Sequence, residues 1–94
     1  MADNPIKEKS FRFAVRIIRL YKFLTDEKRE FVLSRQVLRS GTSIGANVKE
    51  ALQAESKADF IHKLSISLKE ASETEYWLQL LKETEYIDQT ALTQ

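Results

Sequence analysis

A chain of 94 residues with one proline, at position 5, and two glycines, at 41 and 45, has almost nothing from which to build tight turns. Sandwiches and barrels need turn residues every ~8–12 positions. The sequence therefore points to long helices separated by a few polar breaks. The length bounds the answer to one small domain over residues 1–94, near the lower end of what buries its own core. The absence of cysteine excludes a disulfide scaffold, thiol catalysis and cysteine-ligated metal. No apolar run approaches the ~18–20 residues of a membrane span. The start, Met1-Ala2-Asp3-Asn4-Pro5, leads into Lys7-Glu8-Lys9 without an apolar stretch, so no secretory leader is expected and the chain reads as cytoplasmic.

Three segments carry helical periodicity. The first spans about residues 10–25, with Ser10 as one candidate cap and a start near Pro5-Ile6 as the other. At about 100° per residue its apolar side chains cover an arc of roughly 220°, wider than the edge of a monomer requires. This helix is expected to be central or shared with a neighbouring subunit. Thr25 or Asp26 can cap a second helix over about 28–54, with Leu33, Val37, Ile44, Val48 and Ala51 on one stripe. Gly41 and Gly45 lie four apart beside that stripe, which fits a close approach between helices. A kink at Ser40–Ser43 is the competing reading. Ser56 with Asp59 resembles a capping box and opens a third helix over about 57–84. Its core stripe is expected to be Phe60, Leu64, Leu68, Ala71 and Leu78. Ile66, Trp77, Leu80 and Leu81 form a second apolar flank, and Ile66, Trp77 and Leu81 with Phe23 are candidate subunit-interface residues. Asp88 could cap a fourth helix, of which only a stub would follow.

The charge is lopsided. Residues 1–49 hold eleven Lys/Arg against five acids, +6, and residues 50–94 hold four Lys against nine acids, −5. Either the halves pair with each other or the basic half meets a polyanion. Lys9, Arg12, Arg16 and Arg19 share one face of the first helix, with Lys22 at its margin, and Arg35 and Arg39 sit four apart on the second. These seven are the candidate nucleic-acid contacts, suited to phosphates and not to base readout. Glu75 falls at the centre of the third helix's expected core stripe. A buried carboxylate needs partners, so Ser43, Asn47 and Glu75 are a candidate buried polar contact.

Leu38-Arg39-Ser40-Gly41-Thr42-Ser43-Ile44-Gly45-Ala46-Asn47-Val48-Lys49-Glu50-Ala51 resembles the signature of the four-helix-bundle family named for proteins encoded within 23S rRNA intervening sequences. Glu55–Lys63 and Lys69–Leu81 resemble that family's third helix. The resemblance covers about residues 10–88. It implies an all-α, antiparallel up-and-down four-helix bundle in a bacterial cytosolic protein, assembled as a homopentameric ring. It implies no catalysis. Relatives that serve as accessory proteins of diversity-generating retroelements point to RNA, DNA or a nucleic-acid-bound protein as partner. This chain departs from the pattern at its end, where the fourth helix is truncated or missing.

Enzyme readings find little footing. His62 is the only histidine. Asp59-x-x-His62 is half of a bundle metal motif that needs two such elements and two further carboxylates. Ser40 and Ser43 lack a neighbouring base, and no phosphate-binding glycine loop is present. The sequence-based expectation is a non-enzymatic, oligomeric helical bundle with no cofactor, metal or small-molecule substrate. It would bind nucleic acid or a ribonucleoprotein through its basic stripe, or act as a protein scaffold without nucleic-acid contact.

Overall fold

A computed structural model of the chain describes residues 4–88. It contains three helices, α1 (Pro5–Asp26), α2 (Leu33–Ala51) and α3 (Lys57–Glu83), and no strand among the described residues. The stub expected after Asp88 lies outside the described residues. α1 and α3 both pack on α2 and barely meet each other.

Each boundary has a local cause. α1 takes the earlier of its two expected starts: Asn4 caps it by accepting from the Lys7 N–H at 3.2 Å, and Pro5 stands at its first position. Ser10 is therefore inside the helix, its hydroxyl donating to the Lys7 carbonyl. Thr25 and Asp26, expected as caps of the second helix, belong to the last turn of α1. The second helix begins at Leu33 and ends at Ala51, shorter than the expected 28–54. Its start is set by Glu30, whose carboxylate accepts from the backbone N–H groups of Val32, Leu33 and Ser34 at 3.2, 2.9 and 2.7 Å. The preceding turn passes through Arg29 at φ 55°, and the Glu30 N–H reaches back to the Leu24 carbonyl. α3 opens as expected, with the Ser56 hydroxyl accepting from the Asp59 N–H at 3.0 Å.

α2 runs unbroken through both glycines, so the kink at Ser40–Ser43 does not occur. A Cβ on Gly41 would stand 2.8 Å from Cγ1 of Ile17, and one on Gly45 would stand 3.2 Å from the Ser10 carbonyl oxygen. The bare glycine backbone is what lets α1 lie this close.

The core consists of Ile17, Leu24, Val37, Leu81 and Ile87, with Phe13, Leu20, Leu33, Leu38, Trp77, Leu78 and Tyr86 packed around it. Val48 and Ala51 are buried further along α2. Against α2, α3 presents the line Ser67, Thr74 and Leu81, each seven residues from the last and all buried. Ser67 Oγ donates to the Ile44 carbonyl at 2.8 Å, and the Thr74 hydroxyl donates to Ser40 Oγ at 2.9 Å. These bonds satisfy hydroxyls that would otherwise be costly in a helix–helix contact.

Candidate functional site

Of the expected core stripe of α3, Leu78 packs on the core, but the rest of the stripe does not. Leu68 is 73% exposed and Phe60 38% exposed. Leu64, Leu68 and Ala71 instead form one wall of an open groove between α1 and α3. Pro5, Ile6, Lys9, Arg12, Phe13 and Arg16 form the other wall, and Ile44 and Val48 the floor. The groove volume is about 940 Å³. It continues toward the C-terminal end of α3 as a second hollow of about 440 Å³, which shares Phe13, Ile44 and Ala71 and adds Glu75, Leu78 and Lys82. The groove exists because α1 and α3 each pack on α2 and only weakly on each other.

This geometry sorts the candidate residues. Glu75 is exposed and lines the upper groove, so it is not the buried carboxylate expected of it. Asn47 Nδ2 donates to the Ser43 carbonyl at 2.9 Å, and Ser43 Oγ donates to the Arg39 carbonyl at 2.8 Å. Both side chains are thus satisfied within α2, and the three do not meet as one contact. The interface candidates also divide. Leu81 is fully buried and Trp77 packs on the core, because the flank of α3 that carries them is the one α2 covers. Ile66 is half-buried, and Phe23 is exposed under the Lys28 ammonium, 5.7 Å from its ring centre.

Among the basic candidates, Lys9, Arg12, Arg16, Arg19, Lys22 and Arg35 are exposed. Arg12 makes a loose pair with Glu8 at 3.7 Å on the same helix. Arg39 is different. Its guanidinium is held by Glu73 and by Glu70, the latter at 3.5 Å, and also donates to Gln36. Trp77 Nε1 donates to the same Glu73 carboxylate at 3.0 Å. That indole bond, opposed by partial burial and assisted by Arg39, holds the Glu73 carboxyl below its ordinary range. Arg39 thus joins α2 to α3 instead of standing free for a polyanion. Lys63 is likewise committed to Glu50, 2.8 Å away, which raises its pKa.

The residues the sequence did not single out include the buried polar Glu30, Ser34, Ser67 and Thr74. Glu30 is 8% exposed. Burial alone would raise its pKa, but N–H groups of Leu33, Ser34 and Val32 and the Ser34 hydroxyl outweigh it and hold the carboxyl low. Its only sequence signal is an acid just before the apolar run Phe31-Val32-Leu33, which marks a helix start as readily as a solvated surface. No three His, Cys, Asp or Glu side chains gather as a metal site among the described residues, and none of these helices is long and apolar enough to cross a membrane.

With the bundle and its open groove described, comparison with known proteins is informative. The family model for the 23S rRNA-intervening sequence protein matches residues 2–94. This chain belongs to that family. A similar solved structure is the crystal structure of a protein with unknown function from the S23 ribosomal protein family of Bacteroides thetaiotaomicron. It shares 66% sequence identity at a TM-score of 0.90, covering 92% of this chain and 80% of that one. The family resemblance of the α2 and α3 motifs is thereby established over the whole matched length. No match is found among curated proteins.

Proposed function

We propose that this family member is a non-enzymatic cytoplasmic protein that works by binding and assembles as a homo-oligomer, with the pentamer of the family resemblance as the favoured stoichiometry. The observation that carries the reading is the exposed apolar surface outside the groove. Phe11 is 67% and Ile18 41% exposed. Seven residues apart, they stand on one line of α1, on the opposite flank from Phe13. Contiguous apolar surface of this kind marks an interface, and symmetry would repeat it around a ring. Light scattering on the purified chain should give a defined oligomer at micromolar concentration. Phe11→Ser with Ile18→Ser should shift it toward monomer while leaving the circular dichroism helical. A wild-type monomer would overturn the reading.

A second reading, polyanion binding, keeps specific support. Arg12, Arg16 and Arg19 remain on an exposed face of α1. Within the chain, Arg39 of α2 engages the α3 acids Glu70 and Glu73. Contacts limited to phosphates carry little sequence preference and weaken steeply with salt. Gel shift against structured RNA and duplex DNA at two salt concentrations should show salt-sensitive binding that falls in an Arg12/Arg16/Arg19→Ala variant. Binding that is absent at low salt, or unchanged in the variant, would leave assembly alone as the function.

A further inference from the structure

We infer that the connection between α1 and α2 is a binding site for single-stranded nucleic acid, in which Phe31 and Phe23 stack on unpaired bases while Lys28 and Arg29 meet the neighbouring phosphates. The last turn of α1, the connection itself and the first turn of α2 supply its parts. Phe31 is 48% and Phe23 41% exposed, and neither ring lines the groove between α1 and α3. Each ring has a cation over its face. The Lys28 ammonium lies 5.7 Å from the centre of the Phe23 ring, and the Arg29 guanidinium 5.4 Å from that of Phe31. Lys22 and Arg35, both exposed, flank the pair along the chain. Exposed aromatic rings interleaved with cations are the combination by which proteins hold single strands without reading their sequence.

The connection is also held in shape. Arg29 takes φ 55°, the Glu30 N–H bonds back to the Leu24 carbonyl, and the Glu30 carboxylate accepts from the N–H groups of Val32, Leu33 and Ser34. The acid next to Phe31 is thereby turned into the chain, away from an incoming phosphate. The exposed charges over residues 22–35 are Lys22, Lys28, Arg29 and Arg35 against Asp26 and Glu27. Stacking selects the occupant. A stacked base is worth more than an exposed cation–π contact, so a base takes the ring face and the displaced cation moves to the adjacent phosphate. A duplex offers phosphates at higher density, but its bases are already stacked on one another. Insertion into a lipid surface would carry Lys28 and Arg29 with their rings toward hydrocarbon, where charge is costly. This site is separate from the stripe of Arg12, Arg16 and Arg19, which meets phosphates alone, and either can hold without the other.

The test uses a fluorescein-labelled DNA strand of about 15 nucleotides, the same strand annealed to its complement, and an abasic strand of equal length. Anisotropy titrations of the full chain should show the intact strand binding at least fivefold tighter than the duplex or the abasic strand. Phe31→Ala should weaken the intact strand at least fivefold and leave the duplex unchanged, with circular dichroism still helical. Phe31→Trp should retain or tighten strand binding. Phe31→Ala should also leave the salt slope unchanged, whereas Lys28→Gln and Arg29→Gln should each reduce it by ~0.7. In the Arg12/Arg16/Arg19→Ala variant the ratio of strand to duplex affinity should persist. A ratio that collapses there would assign the preference to the stripe and overturn the site at the turn. A duplex or abasic strand as tight as the intact strand, no strand binding, or Phe31→Leu binding like the wild type overturns the proposal. So does a Phe31→Ala variant whose oligomer falls apart by light scattering, which would make the turn a subunit contact. So does loss of phosphatidylserine-vesicle binding in Phe31→Ala with strand binding intact, which would make it a lipid contact.

Discussion

Glu30 is the residue on which the α1–α2 connection turns. It accepts three backbone N–H groups that would otherwise be orphaned at the start of α2. Glu30→Ala should destabilise by ~1–3 kcal/mol, the range for leaving buried donors unpaired, and Glu30→Gln by less, since one oxygen still accepts. The folded-state pKa is lowered, so the contribution is fully present above the unfolded value of about 4.3. It disappears as pH falls through the lower folded value. Denaturant titrations at stepped pH should therefore show a steeper acid loss in the wild type than in Glu30→Gln. Equal slopes would show that the carboxylate is not specially held. Gly41 gives a second test at this scale. Gly41→Ala gains helix propensity of ~1 kcal/mol, but its methyl meets both γ carbons of Ile17, which is buried and has no room to swing. Overpacking costs ~1–3 kcal/mol, so the net change should be destabilising. In an Ile17→Ala background, which lacks both γ carbons, the Gly41→Ala cost should largely vanish in a double-mutant cycle.

At the scale of elements, the end of α3 breaks a local rule. Glu85 sits at φ 68°. Around it the Glu85 N–H donates to the Lys82 carbonyl and the Tyr86 N–H to the Leu81 carbonyl. This is the double bond pattern of a left-handed helix stop, which ordinarily uses glycine. Relief of the left-handed cost, ~1–2 kcal/mol, exceeds the entropic cost of glycine, ~0.5–1 kcal/mol, so Glu85→Gly should raise stability, measured as a shift in urea midpoint at unchanged slope. Loss of stability would mean that the carboxylate does more than close the helix. The turn also delivers Ile87 to the core, which the sequence could not announce, since nothing in Tyr86-Ile87-Asp88 looks unlike a loop. Other elements were legible. The periods of all three helices, the Ser56 cap and the closeness at Gly41 and Gly45 follow from spacing and local chemistry. The start of α2 was not, because no glycine or proline separates it from α1. The inward face of α3 was not legible either. Its two flanks are both apolar, and only packing reveals that Ser67, Thr74 and Leu81 go inside while Leu64, Leu68 and Ala71 line a groove. Glu75 was misread for the same reason.

For the whole molecule, the balance of buried and exposed apolar side chains is the dominant fact. Among the described residues, seven apolar residues are buried, while eleven large ones are exposed. An isolated chain of this kind should gain stability from any association that covers those faces. Thermal melts across a hundredfold range of protein concentration should show a midpoint that rises with concentration. A concentration-independent midpoint would separate folding from assembly. The same balance explains why composition alone, 43% hydrophobic, does not distinguish core from contact surface.

The hydroxyls shared by α2 and α3 carry a consequence for dynamics. Lys63 with Glu50, Ser67 with the Ile44 carbonyl, Thr74 with Ser40, and Arg39 with Glu73 fall in sequence along one antiparallel seam. Sliding one helix past the other by a single turn breaks all of these together. α1 is held chiefly by shape, through Ile17 against Gly41. The α2–α3 hairpin should therefore open as one cooperative unit, with α1 detaching at lower free energy. Native-state amide exchange would read this directly: α1 amides should exchange through a sub-global opening while the centres of α2 and α3 exchange only on complete unfolding.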